Sequence, residues 1–329
     1  MELKALHVGY EPTDQKHWTG RTASAYNDAQ YWHETIALLN LKDMASQNTD
    51  IALIGYACDE GVKRNLGRIG AVKGPDAIRE RLGKLPIHFE KTQIADFGNI
   101  HCIDGDMEAC QKGLAATITA MLAHGIFPIA IGGGHDIAYG HFKGIYNAVN
   151  TTANKKIGII NFDAHFDLRP VESVPNSGTP FYQILNEFDA VSYFAIGIQQ
   201  QSNTKALFDI AKSKRVHFAM NDACEASKEE IKSLQNCLQP FIDSCDYLYI
   251  TIDMDGFSSA FAPGVSAPSP LGFGPNFLFK MLYFLLKSKK VISCDLAELN
   301  PRLDADNATA NLAARLIDYI VMQVDKNQP

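Results

Sequence analysis

The chain has no Cys-x-x-Cys pair, although it contains seven cysteines among its 329 residues. Zinc fingers place cysteines at short, regular spacings, and small secreted domains carry an even number that pair into disulfides. Neither pattern is present, because the count is odd and the cysteines are scattered along the chain. We therefore expect reduced, mostly buried thiols in a cytosolic protein.

The sequence also lacks an excess of basic residues and a long apolar run. Its formal net charge is −7, so nothing suggests a nucleic-acid partner or binding to an anionic membrane surface. Residues 1–7 contain no apolar core of a secretory signal, and no run is long and apolar enough to span a bilayer. These absences predict a cytoplasmic protein that has no nucleic-acid or membrane partner.

No repeat, low-complexity tract or linker divides the chain. We therefore expect one domain over residues 1–329, with residues 1–50 as an N-terminal extension packed on it. Strand-like apolar runs occur at 51–56, 94–97, 127–131, 157–162, 191–198, 216–220, 247–252 and 291–296. Helical periodicity occurs at 75–82, 107–123, 137–149, 228–242, 275–287 and 305–322. This alternation predicts a three-layer α/β/α sandwich with a mainly parallel sheet of about eight strands.

Four of the predicted strands lead directly into polar residues. The strand at 127–131 is followed by three glycines and His135, and the strand at 157–162 by Asp163-Ala164-His165-Phe166-Asp167. Asp253 and Asp255 follow the strand at 247–252, and Glu298 follows the strand at 291–296. Ligands in such folds bind outside the carboxyl ends of the strands, so we expect all four clusters to surround one crevice.

Each cluster has an ordinary explanation when it is taken alone. The glycines before His135 could form a plain strand-to-helix turn, and they lack the spacing of a phosphate-binding loop. The segment 163–167 could be a polar loop, and Asp253 with Asp255 could cap a helix or form a turn. However, uncompensated charge at the ends of apolar strands is costly. We therefore interpret the four clusters together as a site for two hard divalent metal ions.

The ligand set proposed for that site contains two imidazoles and four carboxylates. Side chains two apart on an extended segment point to the same side, so the members of each cluster can converge. This mixture suits Mn²⁺ better than zinc, which more often has cysteine or three histidines as ligands. The six candidate ligands are His135, Asp163, His165, Asp167, Asp253 and Asp255.

In these motifs the chain resembles the ureohydrolases, the arginase–agmatinase group. That family combines a Gly-Gly-x-His turn, an Asp-Ala-His-x-Asp cluster and an Asp-x-Asp followed by an Ala-Pro-Gly loop, which here lies at 262–264. The resemblance extends from about residue 51 to the C-terminus. It implies that the six candidates hold a binuclear manganese site with two Mn²⁺ per chain, and that the protein forms a homo-oligomer. It also implies a small-molecule substrate, whose amidine end Glu298 binds.

Several features are similar to the formimidoylglutamase subgroup of that family in particular. The turn before His135 has a third glycine where arginases use aspartate, and Ser177-Gly178-Thr179 stands where arginases and agmatinases have a His-Gly pair. Arg169 falls where arginases use an asparagine near the amino-acid carboxylate. We expect Arg169, Ser177, Thr179 and Glu298 to bind substrate, with Arg169 contacting a carboxylate through its planar fork. A structural ion pair with a neighbouring acid is the alternative for Arg169.

The resemblance implies hydrolysis of N-formimidoyl-L-glutamate to L-glutamate and formamide, a step of histidine degradation. The nucleophile would be a hydroxide between two Mn²⁺ ions, with Asp167 accepting its hydrogen bond and moving its proton. Glu298 would stabilise the amidinium as the carbon becomes tetrahedral. The alternatives are agmatinase, guanidinobutyrase or another amidinohydrolase, a single-zinc deacetylase, and a non-catalytic metal-binding scaffold. Deacetylases follow their glycines with a histidine pair, whereas Asp136 follows His135 here.

Overall fold

Ten strands form one sheet in the part of the chain that the structure, a computed structural model, describes: residues 8–21, 30–150 and 154–327. The predicted apolar runs account for eight of these strands, and two short strands precede them. The strands are β1 (Gly9–Glu11), β2 (Ala37–Leu38), β3 (Ile51–Ala57), β4 (Ile94–His101), β5 (Phe127–Ile131), β6 (Ile157–Phe162), β7 (Val191–Ile198), β8 (His217–Met220), β9 (Tyr247–Asp253) and β10 (Val291–Ala297).

The sheet runs in the order β1-β4-β3-β5-β10-β9-β6-β7-β8, and β2 pairs with β4. All of its pairings are parallel except that of β1 with β4. The strands β5, β10, β9 and β6 are therefore adjacent and point in the same direction. This arrangement brings the four polar clusters to one edge of the sheet, as the sequence predicts.

Helices cover both faces of this sheet. They are α1 (Trp32–Thr35), α2 (Glu60–Arg64), α3 (Gly74–Leu82), α4 (Met107–Ala123), α5 (Ile137–Val149), α6 (Pro180–Glu187), α7 (Lys205–Ser213), α8 (Lys228–Asp243), α9 (Pro275–Lys287) and α10 (Ala308–Asn327). Alternate residues of a strand face opposite layers. On β3, Ile51 and Leu53 pack in the core with α3, α8, α9 and α10, while Ala52 and Ile54 pack in the core with α4, α5, α6 and α7. The predicted three-layer sandwich is confirmed.

The sheet has ten strands rather than about eight, because β1 and β2 were not recognised in the sequence. They contain three and two residues, which is too short for an apolar alternation to be recognised. Helices α1, α2, α6 and α7 were also not predicted. Each is fewer than ten residues long, so it contains too few turns for a helical repeat to be recognised among the surrounding residues.

The described part of the N-terminal extension is joined to the sheet through a buried ion pair. Arg79 of α3 and Asp96 of β4 are fully buried, and two guanidinium nitrogens donate to the two carboxylate oxygens at 2.7 and 2.8 Å. The indole of Trp18, which is 1% exposed, donates to the same carboxylate at 2.8 Å. The remainder of the extension, at 1–7 and 22–29, lies outside the described residues.

None of the helices in the described ranges combines the length and the hydropathy that a bilayer crossing requires.

Candidate metal centre

The strand register brings the predicted ligands side by side. Phe162 pairs with Ile252 in the β6–β9 ladder, so Asp163 and Asp253 emerge as neighbours at the ends of these strands. On the other side of β9, Asp253 pairs with Ala297 of β10, and Glu298 follows Ala297 directly. The ligands and Glu298 thus meet because parallel strands end together.

Three carboxylates converge around one imidazole nitrogen. His135 Nδ1 lies 3.2 Å from Asp163 Oδ2, 2.9 Å from Asp167 Oδ2 and 3.1 Å from Asp253 Oδ2. Among these residues, His135, Asp163 and Asp253 are buried, and the Asp167 side chain is 13% exposed. This group, which we call the inner ligand group, offers one nitrogen and three carboxylate oxygens to a cation.

A second set of ligand atoms shares one residue with the first. His165 Nδ1 lies 3.4 Å from Asp163 Oδ1 and 3.3 Å from Asp255 Oδ2. We call Asp163, His165 and Asp255 the outer ligand group. Asp163 contributes Oδ2 to the inner group and Oδ1 to the outer group, so it is placed to bridge two cations. Asp253 joins only the inner group, and its Oδ1 accepts the Asp255 backbone N–H at 2.8 Å.

Both groups fit a hard divalent ion. Asp255 Oδ1 is buried and has no hydrogen-bond partner among the described residues. His135 Nδ1 is also buried and makes no hydrogen bond there, although three carboxylate oxygens surround it. Leaving such atoms unpaired is costly for the protein alone. Neighbouring ligands of an octahedral ion lie about 3 Å apart when each is about 2.1 Å from the metal. The distances from His135 Nδ1 to the three carboxylate oxygens of the inner group, 2.9 to 3.2 Å, match that spacing.

The electrostatics of the site also favour a cation. Burial and then the Asp255 carboxylate raise the pKa of Asp253 well above its usual value. Burial likewise raises the pKa of Asp255, and it raises the pKa of Glu298 to about 8. Several carboxyls at one buried location would therefore hold protons unless a positive ion replaced them.

Glu298 is held against the ligand-bearing turn. Its Oε1 accepts the His135 backbone N–H at 2.9 Å, and its own N–H donates to the Gly133 carbonyl at 2.8 Å. Glu298 has a φ of 68°, in the left-handed region that residues other than glycine rarely adopt unless tertiary contacts enforce it. This backbone twist directs the carboxylate, which is 5% exposed, into the cavity beside the ligand groups.

The glycines before His135 are needed for both conformation and space. Gly132 and Gly133 have φ values of 84° and 76°, in the left-handed region that favours glycine. A Cβ on Gly132 would come within 2.3 Å of the Pro75 ring, and one on Gly133 within 2.7 Å of the Cys58 carbonyl oxygen. The turn therefore packs too closely on its neighbours for any larger residue.

Two orienting residues were missed by sequence reasoning. Asn161 Nδ2 donates to Asp163 Oδ2 at 3.0 Å, and Thr251 Oγ1 lies 2.9 Å from His135 Nε2. The contact with Thr251 fixes the ring so that Nδ1 faces the carboxylates. Each residue stands two positions before a ligand on the same strand, so the two-residue strand repeat was the signal that could have found them.

A cavity of about 400 Å³ opens above the ligand groups. Arg169 and Ser177 line it, and they are linked through Asn65, whose Oδ1 accepts from Arg169 Nη1 at 2.5 Å and whose Nδ2 donates to Ser177 Oγ at 3.1 Å. The structure does not bring Thr179 into this lining. Its hydroxyl is buried in the preceding turn, 2.9 Å from both the Asn176 carbonyl and Gln183 Oε1.

A Ser-His-Asp arrangement elsewhere has a structural role. His141 lies 2.7 Å from Asp295 Oδ2 and 2.5 Å from Ser293 Oγ. All three residues are fully buried, and the Ser293 hydroxyl donates to the Pro128 carbonyl. Since no substrate can reach this hydroxyl, the cluster joins α5 to β5 and β10.

Comparison with known proteins gives concordant results. The model of a family described as the arginase family matches residues 49–323. A formimidoylglutamase of Geobacillus kaustophilus is 40% identical over 97% of this chain and 99% of its own length. A formimidoylglutamase of Clostridium tetani is 41% identical over 98% of each chain. The crystal structure of Trypanosoma cruzi formiminoglutamase with Mn²⁺ superposes with a TM-score of 0.74 at 26% identity, over 88% of this chain and 99% of that one.

Proposed function

The chain belongs to the arginase family, and we propose that within this family it is a hydrolase that converts N-formimidoyl-L-glutamate and water into L-glutamate and formamide. The observation that carries this proposal is the pair of ligand groups sharing Asp163 at the base of a cavity that an arginine lines. The ligand groups would receive the amidine end of this substrate, and the arginine would bind a carboxylate at its other end. The reaction is a step of histidine degradation.

We assign two Mn²⁺ ions to the two ligand groups. His135, Asp163, Asp167 and Asp253 would hold one ion, and Asp163, His165 and Asp255 would hold the other. The Mn²⁺ structure of the T. cruzi relative and the oxygen-rich donor set support manganese. When bound, the ions would act as Lewis acids and lower the pKa of water at the site.

Two side chains of the protein, Asp167 and Glu298, would transfer a proton and bind the amidine. Asp167 would accept the proton that water gives up and transfer it to the departing nitrogen. Glu298 uses Oε1 to accept from His135, while its Oε2 has no hydrogen bond within the described residues and would accept from an amidine N–H. Its negative charge would hold the cationic amidinium of the substrate and, once the carbon is tetrahedral, a protonated nitrogen attached to it.

Two residues that line the cavity above the ligand groups, Arg169 and Ser177, are proposed to bind substrate, and Thr179 is proposed to support them. Arg169 would contact a carboxylate, since Asn65 is the only described side chain to which it makes a hydrogen bond and no acid pairs with it among the described residues. Ser177 is placed beside it in the lining and would accept or donate a further hydrogen bond. Thr179 would act indirectly, because its hydroxyl holds the turn at 176–179 on which Ser177 lies.

Turnover on a panel of substrates tests the function. Hydrolysis of N-formimidoyl-L-glutamate with release of formamide is the expected result. Faster hydrolysis of agmatine, guanidinobutyrate or arginine would place the chain with the other amidinohydrolases, and release of acetate from acetylated amines would indicate a deacetylase. Absence of all turnover with both ions bound would support a metal-binding scaffold.

We also propose a cytoplasmic homo-oligomer whose whole chain folds as a single domain. The continuous ten-stranded sheet and the bond from Trp18 to Asp96 of β4 support the single domain. The family resemblance supports the oligomer, and light scattering of the purified protein would test it.

A further inference from the structure

Two arginines, Arg68 and Arg169, line the cavity above the ligand groups. Neither has a carboxylate partner among the described residues. By contrast, Arg64 pairs with Glu108 at 2.7 Å and Arg79 pairs with Asp96 at 2.7 Å. The two cations of the cavity are thus available to an anionic ligand, whereas Arg64 and Arg79 are already neutralised.

Arg68 is held in a defined orientation by the loop that follows the outer ligand group. Its Nε donates to the Ser266 carbonyl at 3.0 Å and its Nη2 to the Val265 carbonyl at 2.8 Å, while its backbone N–H donates to Ser266 Oγ at 2.8 Å. A guanidinium has five N–H donors, so three remain. Two of these are on Nη1 and one is on Nη2, and together they form the end of the fork that binds a carboxylate with two parallel hydrogen bonds.

Arg169 is oriented from a different segment. Its Nη1 donates to Asn65, and its backbone N–H donates to the Gly178 carbonyl at 3.0 Å. One guanidinium fork binds one carboxylate in the bidentate arrangement. The proposed substrate has two carboxylates, one next to the amidine and one at the end of the side chain. Two separately oriented arginines match that pair in number and in charge.

We propose that Arg68 is a second specificity-determining residue, which binds the substrate carboxylate that Arg169 does not bind. This inference rests on the proposed function, because it requires a dicarboxylate substrate. The backbone carbonyls of Val265 and Ser266 hold the guanidinium before substrate arrives, so little side-chain entropy is lost on binding. With these two arginines the enzyme would select a glutamate derivative over a cationic amine.

The competing explanation is that Arg68 only anchors the loop at 265–266. The two roles use different edges of the guanidinium, and they predict different substrate dependence. A loosened loop would lower kcat/KM by a similar factor for every substrate. A lost carboxylate contact would lower it only for substrates that carry that carboxylate.

The test measures kcat and KM for the wild type, Arg68→Gln and Arg169→Gln in the Mn²⁺-loaded enzyme. Three substrates are compared: N-formimidoyl-L-glutamate, N-formimidoyl-L-glutamine, and 4-(formimidoylamino)butyrate, which lacks the carboxylate next to the amidine. Ser266→Ala is the control for loop anchoring, because it removes the hydroxyl that accepts the Arg68 N–H. Arg315→Gln, an exposed residue of α10, is the control for net charge.

Arg68→Gln should lower kcat/KM for N-formimidoyl-L-glutamate by about 30-fold or more, mainly through KM. For Arg68→Gln, the loss should fall to about threefold or less with the analogue that lacks the carboxylate bound by Arg68. Arg169→Gln should show a correspondingly small loss with the other analogue. Equal losses on all three substrates, as expected of Ser266→Ala, would overturn the inference while leaving the proposed function intact. A wild-type enzyme that does not hydrolyse N-formimidoyl-L-glutamate would overturn both.

Discussion

The backbone N–H of His135 donates to the Oε1 of Glu298 at 2.9 Å, so a ligand-bearing turn and the proposed amidine-binding carboxylate form one hydrogen-bonded unit. His135 follows β5 and Glu298 follows β10, and these strands are adjacent in the sheet. Movement of either strand end would displace both groups. The position of the Glu298 carboxylate relative to the ligand groups is therefore coupled to the ends of both strands.

This relationship predicts the behaviour of Glu298→Gln. Glutamine can still accept the His135 N–H, but it lacks the charge that stabilises an amidinium. We expect kcat/KM to fall about 10²- to 10³-fold while the metal content stays unchanged. Steady-state kinetics together with elemental analysis would check this. Glu298→Ala, which also removes the acceptor for His135, is the comparison variant, and loss of metal in Glu298→Gln would contradict the assignment.

Asp163→Asn should abolish activity and reduce binding to fewer than two ions per chain. Asp163 offers an oxygen to each ligand group, and an amide nitrogen is a poor substitute for the second oxygen. Asp253→Asn should also abolish activity, chiefly through the inner group. Asp209→Asn, an exposed residue of α7, removes the same charge and serves as control. A single tightly bound zinc in fully active enzyme would refute the two-ion assignment.

Binding of Mn²⁺ should release protons and become tighter as the pH rises. Burial raises the pKa of Asp253 and Asp255, and raises the pKa of Glu298 to about 8. Below their pKa values Asp253 and Asp255 hold protons that the ions must displace, and the charge of the ions also favours loss of the proton from the nearby Glu298; above those values the carboxyls are already ionised. Calorimetric titrations in two buffers with different ionisation enthalpies would measure the release. Identical heats in both buffers would show that no proton leaves.

Arg169→Ala should lower kcat/KM on N-formimidoyl-L-glutamate, by about 2–5 kcal/mol in transition-state free energy if the carboxylate contact is desolvated. Arg169→Lys should lose less, because it keeps the charge but not the planar fork. Steady-state kinetics of both variants would check this order. The loss should be smaller with N-formimidoylglycine if Arg169 contacts the side-chain carboxylate, and full activity of Arg169→Ala would refute the role.

Asp96→Asn should lower the free energy of unfolding by about 3–5 kcal/mol, because it removes the buried carboxylate that accepts two hydrogen bonds from Arg79 and leaves Asp76, at 3.6 Å, as the remaining anionic partner. Trp18→Phe should cost less, since it removes a single hydrogen bond to the same carboxylate. Chemical denaturation followed by circular dichroism would measure both. Asp14→Asn, at an exposed carboxylate paired with Lys16, is the control and should change the stability little.

The helices and strands that sequence reasoning recovered are those with long, regular patterns. The predicted limits of β5, β6, β7, α4, α5 and α9 agree with the structure. The missed elements were short, and β4 extends four residues beyond its predicted end at Phe97. That extension contains Asn99, whose polarity ended the apolar run although Arg79 satisfies it in the fold.

The sequence by itself determined which ligand types stand at the strand ends, because the chemistry of a side chain and the two-residue repeat of a strand are local properties. Only the tertiary structure decided that β10 and β9 lie between β5 and β6, and which oxygen of Asp163 faces which imidazole. It also decided that Asn65 contacts Arg169 across 104 positions of sequence and that Arg68 lines the same cavity. These relationships depend on pairing between distant segments, and no local pattern of residues encodes that pairing.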